Sequence, residues 1–234
     1  MTAAGWDRPD DPAGPGGLEG PAGPAGLAEP AELAELAGEV RAGRAAVLVV
    51  DMQNDFCHPG GALGARGADV SVNAALVGPV DAFVRRVRDV GARIVIVTLS
   101  REPGDASPLP GFVDGVCLAG SWGAAVHDGL HVDRADLVVR KPRYSAFLHT
   151  DLETTLRDWG VRTLLVVGTT ANVCVDSTVR DAAQLDYRVV VLSDLVGHLR
   201  ADLAEAALRN LSHYFATVHP SAALLGALSP NPGP

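Results

Sequence analysis

Val166-Val167-Gly168-Thr169-Thr170-Ala171-Asn172-Val173-Cys174-Val175-Asp176-Ser177-Thr178 begins apolar, breaks at small and polar residues, and resumes apolar at a different spacing. Thr163 to Val167 is too short and too β-branched for a buried helix, whereas Val175, Val179, Ala182 and Ala183 recur at helical intervals. The segment is therefore strand, tight turn, helix, with Asn172 as the expected N-cap and Cys174 in the first helical turn. A thiol there meets unpaired backbone N–H groups and the positive end of the helix dipole, which predicts easier ionisation than for a free cysteine. The same N–H groups can hold an oxyanion formed when sulfur attacks a carbonyl carbon. The alternative is an inert buried cysteine, so partners elsewhere in the chain must decide.

Working outward, Ala46-Val47-Leu48-Val49-Val50-Asp51 is a continuous apolar strand ending in a carboxylate. Similar runs span 93–98, 136–140, 188–192 and, more weakly, 214–218. Strands apolar on both faces mark a parallel sheet covered on both sides. Between them, Val77, Val80, Phe83, Val84 and Val87 share one helical face, as do Leu152, Leu156 and Trp159, and then Leu203, Ala206, Ala207 and Leu211. The alternation gives an open α/β sheet with right-handed crossovers. A short helix from Pro30 to Arg41 precedes it, a Gly/Pro/Ala-rich tail over 1–28 is expected to be disordered, and 223–234 to be a flexible C-terminal tail, leaving a domain over 29–222.

With 234 residues, 47% of them hydrophobic, the chain can bury a substantial core. A net charge of −9 argues against nucleic acid as a partner. No apolar run is long enough to span a bilayer, so no membrane partner is expected. Cys57, Cys117 and Cys174 form no C-x-x-C pair, which fits a reducing compartment and a cytoplasmic location.

Asp51 closes the first strand, Lys141 follows the third, and Cys174 lies just past the fourth, so all three project from one edge of one sheet. Ligands of open α/β sheets bind at that edge. Lys141 precedes Pro142, which holds it extended. Singly, Asp51 reads as a turn residue and Lys141 as a solvated charge. Jointly they are coherent: a carboxylate to take the thiol proton and return it to a leaving nitrogen, and an ammonium that favours the ionised forms.

Three segments carry a resemblance: Val49-Val50-Asp51-Met52-Gln53-Asn54-Asp55-Phe56 with Pro59-Gly60-Gly61-Ala62-Leu63, then Lys141-Pro142-Arg143-Tyr144-Ser145-Ala146-Phe147, then Gly168 to Thr178. Over about 45–218 the chain resembles the isochorismatase-like cysteine hydrolases. The resemblance implies a three-layer α/β/α fold around a doubly wound, six-stranded, mainly parallel sheet. It also implies a Cys174–Asp51–Lys141 triad, a cis peptide between Thr169 and Thr170, and an oxyanion hole from the N–H groups of Thr170 and Cys174. Within the family the chain is most similar to the ureidoacrylate and N-carbamoylsarcosine-type amidohydrolases. The ureidoacrylate enzymes favour Glu where this chain has Asp176, which leaves the substrate open. The implied reaction is cleavage of a C–N bond in a small amide, ureido or carbamoyl compound through a thioester, by a homo-oligomer without a cofactor.

Nicotinamidases carry a D-x-H metal site after the second strand, but residues 100–116 contain no histidine, so no metal is expected. True isochorismatases cleave a vinyl ether and generally lack the cysteine. An ether hydrolase or a non-catalytic scaffold on the same fold are the rival readings. For substrate contacts the candidates are Phe56, Trp122, Tyr144 and Phe147, with core packing as the alternative for Phe56, Trp122 and Phe147. Arg143 and Arg180 are candidates for binding an acidic substrate group, and a surface ion pair is the alternative for Arg180. His58 reads as a loop histidine that borders the pocket or only solvent, and Cys57 and Cys117 as spectators.

Overall fold

A computed structural model describes residues 29–105 and 115–229 of the chain. The expected 1–28 tail lies outside the described residues. In chain order the elements are α1 (Pro30–Arg41), β1 (Ala45–Val50), α2 (Asn54–Cys57), α3 (Ser71–Asp89), β2 (Arg93–Leu99), β3 (Leu137–Lys141), α4 (Leu152–Asp158), β4 (Thr163–Gly168), α5 (Asp176–Gln184), β5 (Arg188–Val196), α6 (Ala201–Tyr214), β6 (Thr217–His219) and α7 (Ser221–Leu228).

The six strands form one sheet in the order β3-β2-β1-β4-β5-β6, every neighbouring pair parallel. Side chains alternate across it. Val47 and Val49 of β1 join one core with Leu36, Val80, Phe83 and Leu224, while Ala46, Leu48 and Val50 join a second with Leu152, Leu156, Val179 and Leu211. Burial on both faces is why the central strands carry no polar alternation; each Val or Leu so buried contributes roughly 1.5–3 kcal/mol. The result is the expected three-layer α/β/α arrangement.

Several boundaries differ from the sequence reading. β3 is an edge strand with Val138 and Arg140 exposed, so only one of its faces is covered. On α6 the buried residues are Ala204 and Leu211, whereas Leu203 and Ala206 face outward, so the predicted stripe was rotated by about one residue. Residues 221–228, expected to belong largely to a loose tail, form α7; Leu224 and Leu228, one turn apart, are buried in the core that also holds Leu36 and Val40 of α1. A stretch of small and apolar residues without polar partners looks like a tail until a docking surface is supplied.

The chain lays down β1, β2 and β3 outward, then returns to place β4 on the other side of β1. That reversal between β1 and β4 opens a crevice at the carboxyl ends of the strands.

Candidate active site

Every element of the crevice starts where a strand stops. β1 ends at Val50, and Asp51 takes a left-handed backbone conformation, φ 50°, that breaks the strand. Its backbone is held on three sides: its N–H donates to Val97 O at 2.9 Å, and its carbonyl accepts from Gln53 N–H at 2.8 Å and from the Thr169 hydroxyl at 3.1 Å. The Gln53 side chain then ties the loop to the end of β2, donating to Leu99 O at 2.9 Å and accepting from Leu99 N–H at 2.8 Å. Lys141 is the last residue of β3. Its Nζ donates to Asp51 Oδ2 at 2.8 Å and to Arg143 O at 3.1 Å, and both ionic side chains are fully buried.

After β4, the Thr169–Thr170 peptide is cis, and Ala171 to Val175 form a single π-helical turn before α5. The Thr170 carbonyl accepts from the N–H groups of Val173 and Val175 at 3.1 and 3.2 Å. Thr170, not Asn172, is the residue that precedes the turn, and it caps with no side-chain hydrogen bond. The expected N-cap is therefore corrected: the wide turn takes Asn172 into its body. Cys174 sits in this turn, 3% exposed, with its thiol in hydrogen-bonding reach of both Asp51 and Lys141. The structure thus brings these three side chains together.

The electrostatics correct a second expectation. Burial, and then the Asp51 charge, push the Cys174 thiol well above its ordinary range, and Lys141 only partly opposes them. For Lys141, burial disfavours the charge, but Asp51 and Cys174 outweigh it and hold the ammonium above its usual value. At this depth desolvation outweighs the stabilisation that the start of a helix offers a thiolate. The resting centre is a neutral thiol beside an Asp51–Lys141 ion pair. Asp51 Oδ2 is taken by the lysine, whereas Oδ1 is buried with no hydrogen-bond partner among the described residues.

A cavity of about 130 Å³ opens beside Cys174, below the roughly 300–1,000 Å³ of drug-sized ligand sites and so suited to a small compound. Phe56, Tyr144, Thr170 and Cys174 line it, together with Arg101, Leu63, Leu99, Val116, Val173 and Leu199. Trp122 and Phe147 do not. Trp122 is 53% exposed, edge-on to His58 with ring centroids 5.1 Å apart, and Phe147 stacks with Tyr187 in the core at 6.1 Å. His58 is exposed and its Nδ1 accepts from Gly60 N–H at 3.0 Å. Arg143 pairs with Asp105 at 2.9 Å, and Arg180 with Asp176 at 2.7 Å, so neither reaches the cavity lining.

Arg101 is the residue that reading from sequence missed. It stands two positions beyond β2, and the rule that picked out Asp51 and Lys141, a polar residue just past an apolar strand, applies to it equally. The signal was obscured by the following loop, rich in Gly and Pro.

Comparison with known proteins gives a consistent result. The isochorismatase domain model matches residues 45–223. A ureidoacrylate amidohydrolase RutB from Methylorubrum extorquens is 34% identical over 208 residues, covering 80% of this chain and 84% of that protein. A cysteine hydrolase from Pseudomonas syringae superposes with a TM-score of 0.71 at 30% identity, covering 79% of this chain and 92% of the other. An N-carbamoylsarcosine amidase from Thermoplasma acidophilum gives 0.64 at 30% identity, covering 76% and 96%. With the family model matched across the whole α/β core and a buried carboxylate, ammonium and thiol gathered at its switch point, this chain belongs to the isochorismatase family of hydrolases.

Proposed function

We propose that this chain is a cysteine-dependent amidohydrolase acting on a small amide, ureido or carbamoyl compound, with a ureidoacrylate-type substrate favoured. The observation that carries the reading is Cys174 on the cavity lining with its thiol in hydrogen-bonding reach of the buried Asp51–Lys141 pair, whose second carboxylate oxygen has no hydrogen-bond partner among the described residues. The names of the related amidohydrolases support the same reaction class.

In this reading Asp51 takes the Cys174 proton as sulfur attacks the carbonyl carbon, so that thiolate character develops only with the S–C bond. This suits a thiol whose resting state is neutral. The N–H groups of Thr170 and Cys174 receive the oxyanion. Asp51 passes the proton to the leaving nitrogen, the C–N bond breaks, and a thioester remains. Water, giving a proton to Asp51, attacks the thioester; the C–S bond breaks and the proton returns to sulfur. A ureide leaves its carbonyl as carbamate, which decomposes to carbon dioxide and ammonia. Lys141, donating to Asp51 Oδ2, holds the carboxyl group oriented as it takes and returns the proton.

The test is ammonia release from ureidoacrylate, N-carbamoylsarcosine, biuret, maleamate and nicotinamide, assayed side by side. Cys174→Ala should lower turnover of the preferred compound roughly 10⁴-fold or more while leaving the thermal transition in place. Activity retained without the sulfur, including cleavage of isochorismate, overturns the assignment. The same reading takes the protein to be cytoplasmic, supported by its three free thiols, and a homo-oligomer, which light scattering of the purified chain checks.

A further inference from the structure

Asp55 carries a carboxylate that the reaction outlined above does not use. It lies on α2, one residue before the cavity-lining Phe56, and is only 4% exposed. Its two oxygens are divided between two loops: Oδ1 accepts from Ala62 N–H at 2.6 Å and Oδ2 from Cys117 N–H at 2.7 Å. The residues beside those two amides, Leu63 and Val116, are themselves cavity lining. The second loop also ties in Arg101 on the same wall, whose N–H donates to Cys117 O at 2.9 Å and whose carbonyl accepts from Ala119 N–H at 2.8 Å. Cys117 is held in a left-handed conformation, φ 53°, which a residue other than glycine keeps only when its surroundings compel it. On the remaining side Asp55 N–H donates to Gly123 O at 2.9 Å, and Gly123 packs so closely on the carboxylate that a Cβ there would collide with it.

We propose that Asp55 is a positioning residue whose carboxylate clasps the loop through Ala62 to the loop through Cys117 and so fixes the width of the cavity beside Cys174. The inference rests on the amidohydrolase reading for what the cavity receives, and adds how the space is kept. Two converging N–H donors need two acceptor oxygens, which a carboxylate supplies; asparagine would turn its NH2 toward one of the donors. Bonds from N–H to a charged oxygen are also stronger than neutral ones, so the clasp resists drift of either wall. In a cavity of about 130 Å³, such drift removes contacts that a small substrate needs and opens the sulfur to larger reagents. Asp51 and Lys141 hold each other on other elements, so the clasp acts on binding and access and leaves the chemical step alone.

The experiment compares the wild type, Asp55→Asn and Leu224→Ala, the last weakening the core at α7 without touching the cavity lining. Cys174 is alkylated at pH 8.5 with iodoacetamide and with the bulkier N-phenyl iodoacetamide, and the labelled peptide is mapped. Relative to free cysteine, the wild type should favour the smaller reagent at least about tenfold, Asp55→Asn less than about threefold, and Leu224→Ala as much as the wild type. For the amide it prefers, Asp55→Asn should raise KM about tenfold and change kcat less than about threefold, whereas a mere loss of folded enzyme lowers kcat and leaves KM. In the wild type the Ala62 and Cys117 amides should exchange with solvent at least about 100-fold more slowly than unprotected ones, and this measurement decides the matter where Asp55→Asn does not fold. Fast exchange at either amide, an unchanged reagent preference and KM in Asp55→Asn, or the same changes in Leu224→Ala overturn the proposal. Ammonia release independent of Cys174 overturns the amidohydrolase reading instead, and the alkylation and exchange results still judge the clasp.

Discussion

At the scale of the residue, the chemistry turns on how deeply Cys174 is placed. A cysteine at the start of a helix gains from the dipole by at most about 2 kcal/mol. Removing its charged form from water costs more, and Asp51 adds repulsion. The thiol is therefore held protonated, and in the proposed mechanism it stays so until a substrate carbonyl arrives and Asp51 takes the proton. This predicts that iodoacetamide alkylates Cys174 more slowly than a free thiol of pKa about 8.5 between pH 7 and 8.5, with a rate that keeps rising with pH and reaches no plateau by pH 9.5. Peptide mapping against Cys174→Ala identifies the labelled site. A plateau near neutral pH would mean that the thiolate is preformed.

At the scale of the element, the site depends on how closely β1 and β4 approach where they end. Gly168 closes β4 with φ +111°, and a Cβ there would collide with the Val50 carbonyl and backbone nitrogen. Neither neighbour is a flexible side chain, so Gly168→Ala must push the two strand ends apart. It is expected to destabilise by at least about 3 kcal/mol and to depress activity beyond its effect on stability, since Asp51 and Thr169 flank the contact. Gly38, exposed in α1 with nothing near the position of its Cβ, is the control. There Gly38→Ala should stabilise by up to about 1 kcal/mol through helix propensity alone. Urea denaturation of both variants measures the pair. Similar changes at the two sites would remove the argument for strand contact.

At the scale of the whole molecule, two hydrophobic layers clasp a sheet that buries all three cysteines. Cys57 is pushed up to about 12 by burial and then by Asp51, and Cys117 and Cys174 are raised further for the same leading reason. A thiol with a raised folded pKa stays protonated in the fold while the unfolded chain loses its proton above about 8.5. Its contribution to stability is thus whole below that pH and is lost as pH rises toward the folded value. Each such thiol removes about 1.4 kcal/mol per pH unit across that window. Stability should accordingly fall steeply between pH 9 and 11. Cys57→Ala should flatten that slope by up to about 1.4 kcal/mol per unit even if it lowers stability at pH 7. Denaturation midpoints at pH 8 to 11 check the slope, and an unchanged slope in the variant would exclude Cys57 from it.

What the linear chain determined by itself was the class of fold and the positions of the candidate site residues. Runs of Val, Leu and Ile between helical repeats specify a covered parallel sheet because no other arrangement hides strands that are apolar on both faces. Asp51, Lys141 and Cys174 were legible because each stands where such a run stops. Only the tertiary structure decided which aromatic residues meet the cavity, since Phe56 and Phe147 look alike from their motifs and one points into the crevice while the other stacks on Tyr187. It also decided that residues 221–228 are helix and that the thiol is neutral at rest, not ionised. Docking of α7 and desolvation of Cys174 both depend on surfaces contributed by segments far away along the chain, and local spacing holds no record of how much water those surfaces exclude.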